Sequence, residues 1–506
     1  MRNILEYLEH TAEQYAKKTA IIDEYGSYSY EKLLDISRRI GSGLLAKVER
    51  ERPIPVLMEK GKETLAAFFG IVYAGNCYVL LNPELPISRI NQVKQVIETP
   101  LLITDEKHRE LALKLYLPEQ ILLIEELKMT EMNAEGLGII RESMIDVEPL
   151  YANFTSGSTG VPKGVVISHR SVIDFIDVFT ELFHIEDGDI IGNQAPFDFD
   201  VSVKDIYSAI KTGATLVIVP KGLFSRPAQL LDFICNHQIT TMIWAVSALC
   251  LITTFHGLDY KVPKTVNKVI FSGEVMPIKH LNIWMSHLPD AEFVNVYGPT
   301  EITCNCTYYR INKEEEYTEG IPMGKAFPNE QVFLLDDNNQ LIKKPGEIGE
   351  ICVRGTALAL GYYNSLEQTN ASFIQNPTNH QYMDLIYRTG DLGRLDSNGN
   401  YYFQGRKDFQ IKHMGHRIEL EEVEKAMMDI EGIQRACCVF DEEKSKLYGF
   451  YVGKLDKKEV HSKMKESLPI FMVPGALTQV EEMPMTKNGK IDRKGLVESV
   501  RRKKNG

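Results

Sequence analysis

The spacing of apolar positions changes character twice along this chain. Through roughly the first four hundred residues, segments with the 3.6-residue apolar period of helices alternate with short β-branched runs. Leu216-Val217-Ile218-Val219, Lys268-Val269-Ile270-Phe271 and Phe293-Val294-Asn295-Val296 read as strands, each reached after a helix-like segment. That alternation predicts an α/β fold of layers with largely parallel sheets. Gln331–Leu335 and Glu350–Arg354 are shorter strands joined by Asp336-Asp337-Asn338-Asn339 and Pro345-Gly346 turns, which predicts a small β-rich subdomain. After Gly405 a charged segment leads into a helix over Leu420–Met428, strands near Ala436–Val439 and Leu447–Val452, a helix near Val460–Leu468, and a polar end. This is a small α+β domain of about a hundred residues, large enough to be autonomous.

Between the strand-like runs Tyr151–Phe154 and Val165–Ile167 lies Thr155-Ser156-Gly157-Ser158-Thr159-Gly160, closed by Lys163 and Gly164. Glycine lets the backbone turn its N–H groups toward one point, hydroxyls add donors, and lysine adds a mobile positive charge. Such a loop suits a polyphosphate. It is not a Walker loop, whose Gly-Lys-Ser/Thr ending and following helix are missing. A solvated Ser/Gly linker is the plainer reading, and the two apolar strands that frame the loop argue against it.

Composition narrows the classes. The 506 residues exceed a single core, so two or more domains are expected. A formal charge of −12, from 57 basic and 69 acidic residues, disfavours a general nucleic-acid binder. The basic run Arg501-Arg502-Lys503-Lys504 is expected to be a frayed, solvated tail. Eight cysteines lie scattered without zinc-ligand spacing, which fits small buried thiols in a reducing cytoplasm. The first residues are acidic where a signal peptide needs an apolar core, and the longest apolar stretch, Ala66–Leu81, is too short and too rich in Gly and Asn to span a bilayer. A soluble cytoplasmic protein without membrane insertion is expected. No internal repeat occurs, and neither a phosphopantetheine attachment site nor a condensation motif is present, so no carrier or condensation domain is expected within these residues.

The loop resembles the phosphate loop of the adenylate-forming superfamily, which contains acyl-CoA synthetases, luciferases and nonribosomal peptide synthetase adenylation domains. Five further segments match in the family's order: Phe199-Asp200-Val201-Ser202-Val203, Tyr297-Gly298-Pro299-Thr300-Glu301, Tyr387-Arg388-Thr389-Gly390-Asp391, Gly405-Arg406-Lys407-Asp408 and Asn488-Gly489-Lys490-Ile491-Asp492-Arg493. The resemblance implies a large N-terminal domain over residues 1–407, binding ATP and substrate, and a small mobile C-terminal domain over residues 408–506 carrying the catalytic lysine. It also implies the chemistry. A carboxylate attacks the α-phosphorus of ATP with Mg2+ present, and a thiol then takes the acyl group from the adenylate. The first step joins two anions and needs positive charge at the junction.

By the same resemblance, Lys490 bridges substrate carboxylate and phosphate, Glu301 is the magnesium ligand, a hard donor for a hard cation, and Thr300 bonds the α-phosphate. Tyr297 stacks on adenine, Asp391 takes the ribose hydroxyls, and Arg406 is a second nucleotide contact. Thr155, Ser156, Gly157, Ser158, Thr159, Gly160, Lys163, Gly273, Glu274, Asn295 and Gly298 complete the nucleotide set. Asp408 is the hinge about which the small domain rotates, and Gly415 belongs to the face used in thiolation.

The substrate pocket carried over from the family comprises Asp200, Val201, Lys204, Ile270, Ser272, Val296, Cys304 and Asn305, with Trp244 beside them on a looser match. Asp200 stands where amino-acid activators pair an aspartate with the substrate ammonium; its structural alternative is to cap a helix starting near Val203. Lys204 leaves two readings open. It salt-bridges an acidic side chain of the substrate, or it snorkels outward and leaves a small polar pocket around Ser272 for serine or alanine. The chain is also similar to D-alanine–carrier protein ligases, although Ser272 and Lys204 depart from that pattern. The expected activity is AMP-forming activation of an amino acid and its transfer to the phosphopantetheine thiol of a separate carrier protein. An acyl-CoA synthetase acting on a small carboxylic acid and a non-catalytic nucleotide-binding relative are the alternatives.

Overall fold

The structure, a computed structural model, describes residues 1–157, 160–485 and 491–502. The chain divides into two compact units: one of Met1–Pro83, Ile97–Asn153 and Gly164–Lys407, the other of Glu84–Val96, Phe154–Lys163 and Asp408–Gly506.

Among the described residues, a nine-stranded sheet dominates the first unit. From edge to edge it runs Lys325–Ala326, Thr307–Arg310, Glu292–Tyr297, Lys268–Ser272, Thr241–Ala245, Ile190–Asn193, Thr215–Ile218, Thr19–Asp23 and Gly26–Ser29. Its inner pairs are parallel and its outermost pairs antiparallel. The helices between the parallel strands supply the crossovers that such pairing requires. A second sheet of seven strands, built on Pro53–Leu57, Cys77–Leu80 and Pro149–Thr155, is likewise parallel at its centre. The β-rich subdomain is antiparallel throughout, with Ile348–Gly355 and Leu385–Leu395 as its long inner strands. The predicted strands fall where expected, from equal length (Thr215–Ile218, shifted by one) to five residues longer (Ile433–Asp441).

Strand alternation decides which side chains meet. Ile243, Ile270, Val294 and Val296 join a large apolar cluster with Phe68, Tyr78, Tyr151 and Tyr207, whereas Trp244, Val269, Phe271 and Phe293 turn into a second cluster on the other face. The helices Lys62–Tyr73 and Val201–Thr212 are buried nearly all round, as expected of helices covered on more than one side.

The second unit contains the helix Leu420–Met428, as the periodicity predicted, against a sheet of Ile433–Asp441, Lys446–Gly453 and Ala476–Gln479. A hairpin, Gln410–His413 with His416–Glu419, turns through Met414 and Gly415, both at positive φ (53° and 80°). That pair of left-handed residues matches the twist of a tight hairpin. Six of the eight cysteines are buried; Cys235 and Cys250 are only partly so. Among the described residues no helix is long and apolar enough to cross a membrane.

The polar end is not a frayed tail as far as it is described. Arg493–Arg502 is a helix, anchored at both ends. Arg493 grips Glu424 (Nη2 to Oε2 2.9 Å) and lies 4.3 Å from the centre of the Phe409 ring. Arg501 donates to Oδ1 of the fully buried Asp441 from Nη2 at 2.7 Å and from Nε at 3.2 Å. A buried carboxylate demands such donors, and this demand overrides the tail's polarity. Lys503 and Lys504 lie outside the described residues. Arg501→Ala is expected to destabilise the second unit by about 1–3 kcal/mol, the cost of losing a bond to a buried charge. Urea unfolding measures it, and an unchanged midpoint would restore the solvated-tail reading.

Candidate functional site

The glycine-hydroxyl loop leaves the strand Pro149–Thr155 and re-enters the sheet at Lys163. A Cβ on Gly157 would lie 2.2 Å from the carbonyl oxygen of Val161, so the loop closes only on glycine. Gly160 has φ 80° and its N–H bonds the Gly157 carbonyl at 2.8 Å. Within the second unit, Ser156 Oγ donates to the Arg417 carbonyl at 2.8 Å, and the N–H of Gly157 donates to the carboxylate of Glu422, which also pairs with Arg89. An acidic side chain thus already accepts from this loop, as an anion would. Lys163 attracts Glu419 electrostatically. Ser158, Thr159 and Lys490 lie outside the described residues. Asp408 opens the last segment of the second unit, where its Oδ1 accepts from the N–H of Gln410 at 3.1 Å. Gly415 is the second residue of the hairpin turn described above.

In the first unit, three of the expected nucleotide residues come together. Asp391 sits at a bulge of its long strand, opposite Arg406 on the neighbouring strand. Its Oδ2 accepts from the Tyr297 hydroxyl and its Oδ1 from Arg406. Burial, and then the Asp391 carboxylate, hold the Tyr297 phenol far above its ordinary range, so it stays a donor. Thr300 and Glu301 occupy a single 3-10 turn, and Glu301 Oε1 accepts from Tyr362 at 2.8 Å. Asn295 is tied to the Pro322 carbonyl at 2.8 Å, while Gly273, at φ 95°, and Glu274 follow the Lys268–Ser272 strand. Among the described residues no group of three or more His, Cys, Asp or Glu side chains could hold a metal ion. Glu301 offers a hard carboxylate, a donor type that suits Mg2+ shared with phosphates.

The expected substrate residues also converge. Ile270, Ser272 and Val296 share one sheet face by alternation, and Val201 opens the helix that begins at Asp200. Asp200 stands at the helix N-cap but makes no capping bond with its side chain, so capping does not explain it. A Cβ on Gly298 would lie 2.4 Å from Asn305 Cα, and this bare spot lets the 303–305 segment fold back against it. Thr303 and Cys304 take positive φ (53° and 77°), strain of order 1–3 kcal/mol each for non-glycine residues. Cys304 Sγ donates to the Asp200 carbonyl at 3.1 Å, and Lys204 Nζ donates to Asn305 Oδ1 at 2.6 Å. Two expectations are corrected. Lys204 does not snorkel outward: it is 0% exposed, because its helix has no solvent side at that turn. Trp244 does not join the pocket residues: it pairs in register with Phe271 rather than Ile270 and faces the opposite cluster, with Nε1 on the Gly192 carbonyl at 2.7 Å.

A family model described as AMP-binding enzyme matches residues 8–363, and one described as AMP-binding enzyme C-terminal domain matches residues 422–490. The chain belongs to the AMP-binding enzyme family. Tyrocidine synthase 3 of Brevibacillus parabrevis is 31% identical over 97% of this chain, which spans only 8% of that protein. Zwittermicin A synthase ZmaJ of Bacillus cereus is 31% identical, over 95% of this chain and 91% of the relative. Among solved structures, holo-PA1221, an NRPS protein containing adenylation and PCP domains bound to a vinylsulfonamide inhibitor, superposes with a TM-score of 0.85 at 24% identity, over 98% of this chain and 84% of its own. That likeness speaks for the fold, a large N-terminal and a small C-terminal α/β domain.

One feature of this AMP-binding enzyme was not read from the sequence. Asp205, next to Lys204, accepts from Asn193 Nδ2 at 2.6 Å; Asn193 Oδ1 in turn accepts from Lys60 at 3.0 Å. Burial raises Asp205 from 3.8 to about 7 and lowers Lys60 from 10.5 to about 7. The one signal available was a charged pair inside an apolar helix. Between pH 3.8 and about 7 the folded chain holds a proton on Asp205 that the unfolded chain has released, so stability falls as pH rises through that window. Lys60 acts above about pH 7, where the unfolded chain holds the extra proton and stability rises toward pH 10.5. Asp205→Asn is therefore expected to flatten the melting temperature's fall across the lower window relative to wild type. Parallel pH profiles for the two proteins would refute this account.

Proposed function

We propose that this chain activates an amino acid with ATP and Mg2+ as its aminoacyl-adenylate, releasing pyrophosphate, and passes the aminoacyl group to the phosphopantetheine thiol of a separate carrier protein. The observation that carries this reading is Asp200. It is a buried carboxylate at a helix head, its side chain unused as a cap, beside Cys304 and one turn from Lys204. Lys204 already attracts this buried carboxylate, and a substrate ammonium would add a second cation beside it. An acid without an amine offers none. The relatives named synthases and the solved NRPS protein with a PCP domain support the carrier as thiol source rather than CoA.

In this reading Tyr297, Asp391 and Arg406 receive adenine and ribose, Thr300 and the loop Thr155–Gly160 with Lys163 receive the phosphates, and Glu301 holds Mg2+. Lys490 neutralises the anions as the carboxylate oxygen attacks the α-phosphorus.

ATP–pyrophosphate exchange over a pool of amino acids tests the first step. Asp200→Ala is expected to cut exchange by about 10²-fold or more, as when one partner of a buried charge pair is removed. Lys490→Ala is expected to cut it by about 10²–10³-fold. Thioester formation on a phosphopantetheinylated carrier, with no AMP release stimulated by free CoA, tests the second step. CoA-dependent turnover instead would make the chain an acyl-CoA synthetase, and exchange unaffected by Lys490→Ala would remove the proposed chemistry.

A further inference from the structure

Three lysines of the first unit with little solvent contact touch a carboxylate or several oxygens; Lys204 is attracted by Asp200 and Asp205 but, among the described residues, hydrogen-bonds to neither. Lys62 and Lys268 lie against carboxylates, Asp23 at 2.8 Å and Asp189 at 2.9 Å. Lys60 sits among four oxygens, the Asn193 side chain at 3.0 Å and the carbonyls of Asn193, Gln194 and Ala195 at 3.3, 2.9 and 3.4 Å. Lys204 has no contact with solvent, and among the described residues its ammonium has one hydrogen-bond partner, the neutral Oδ1 of Asn305. An ammonium carries three donors. Two of them have no acceptor among the described residues, in a place where desolvation is costly.

We infer that the amino acid taken by this chain has an acidic side chain, whose carboxylate pairs with Lys204 while its ammonium pairs with Asp200. The inference rests on the amino-acid reading above and deepens it. Asp200 and Lys204 are four residues apart at the start of one helix, so their side chains share a face about 5–6 Å apart. Opposite ends of one small zwitterion, a few bonds apart, fit that spacing. Cys304 holds the backbone carbonyl of Asp200, and the adjacent Asn305 holds the ammonium of Lys204.

The charge inventory agrees. Asp200 and Asp205 balance Lys204 and Lys60, and of the outer groups acting on Lys60, Asp198 attracts where Lys221 repels. An acidic side chain brings a second carboxylate, besides the α-carboxylate that reacts with ATP, to Lys204. Serine or alanine brings none and leaves two donors of Lys204 without an acceptor among the described residues.

The test is ATP–pyrophosphate exchange by the full chain with aspartate and glutamate in both chiralities, asparagine, glutamine, serine, alanine, and the amine-free diacids succinate and glutarate. An acidic amino acid is expected to exceed its own amide by about 10²-fold in kcat/KM, because a site built around a charged partner rejects the analogue that lacks it. Lys204→Gln is expected to reverse that order in favour of the amide. The wild-type panel stands alone should the variant fail to fold. A neutral amino acid leading the wild-type panel overturns the inference and leaves aminoacyl activation standing. Succinate or glutarate leading every amino acid keeps the Lys204 pairing and overturns the role of Asp200. Silence with all of them overturns both.

Discussion

Transfer of an ion from water into a protein interior costs several kcal/mol even after the surroundings relax, and the helix Val201–Thr212 carries Lys204 and Asp205 where neither touches solvent, with Asp200 at its head. Such charges persist only where each has an answering group. The neighbourhood is arranged to provide them. Asn193 stands between Asp205 and Lys60, and Asn305 reaches Lys204 from the segment that follows the Tyr297–Glu301 motif. Burial pushes Asp205 up and Lys60 down, each to about 7. Asp200 and Asp205 both attract Lys204, and in the proposed reading Asp200 and Lys204 are the pair that meets an incoming molecule.

Backbone geometry fixes where that pair can look. The return of residues 303–305 against Gly298 puts Cys304 and Asn305 beside the helix head, and it does so through two strained non-glycine residues. Strain of this kind persists when surrounding bonds over-determine it. Here Thr303 Oγ1 holds the Ala357 carbonyl at 2.7 Å, and Cys306 N–H holds the Tyr297 carbonyl at 2.8 Å, one on each side of the kink. The same motif therefore supplies a ring, a carboxylate and the wall of the neighbouring pocket from fewer than ten consecutive residues.

Much of this was legible from residue patterns, and the failures have physical causes. Period-two and 3.6-residue spacing located the strands and the Leu420–Met428 helix because those segments bury one continuous face. Motif residues such as Tyr297, Asp391 and Arg406 were found by type and order, and the sheet register brings them together. Trp244 was misplaced because one residue of strand register moves a side chain to the opposite face, and spacing near Ala245 did not fix that register. Arg501 was misread because its partner, Asp441, lies sixty residues away, beyond any local pattern. Lys60 and Asn193 were missed for the same reason. Each is ordinary in its own segment and acquires meaning only from a helix elsewhere in the chain.

The hydroxyl of Tyr297, held by Asp391 while Arg406 steadies the other oxygen of that carboxylate, fixes the tilt of an aromatic ring in the absence of any ligand. Immobilising a side chain on association costs entropy, modest for a ring with two torsions. For this ring the loss is incurred once, when the chain folds, and is not repeated with each encounter. In the proposed reading adenine meets a platform already set, and loosening it would show first as a weaker grip on the nucleoside, with the chemistry at the phosphate left intact.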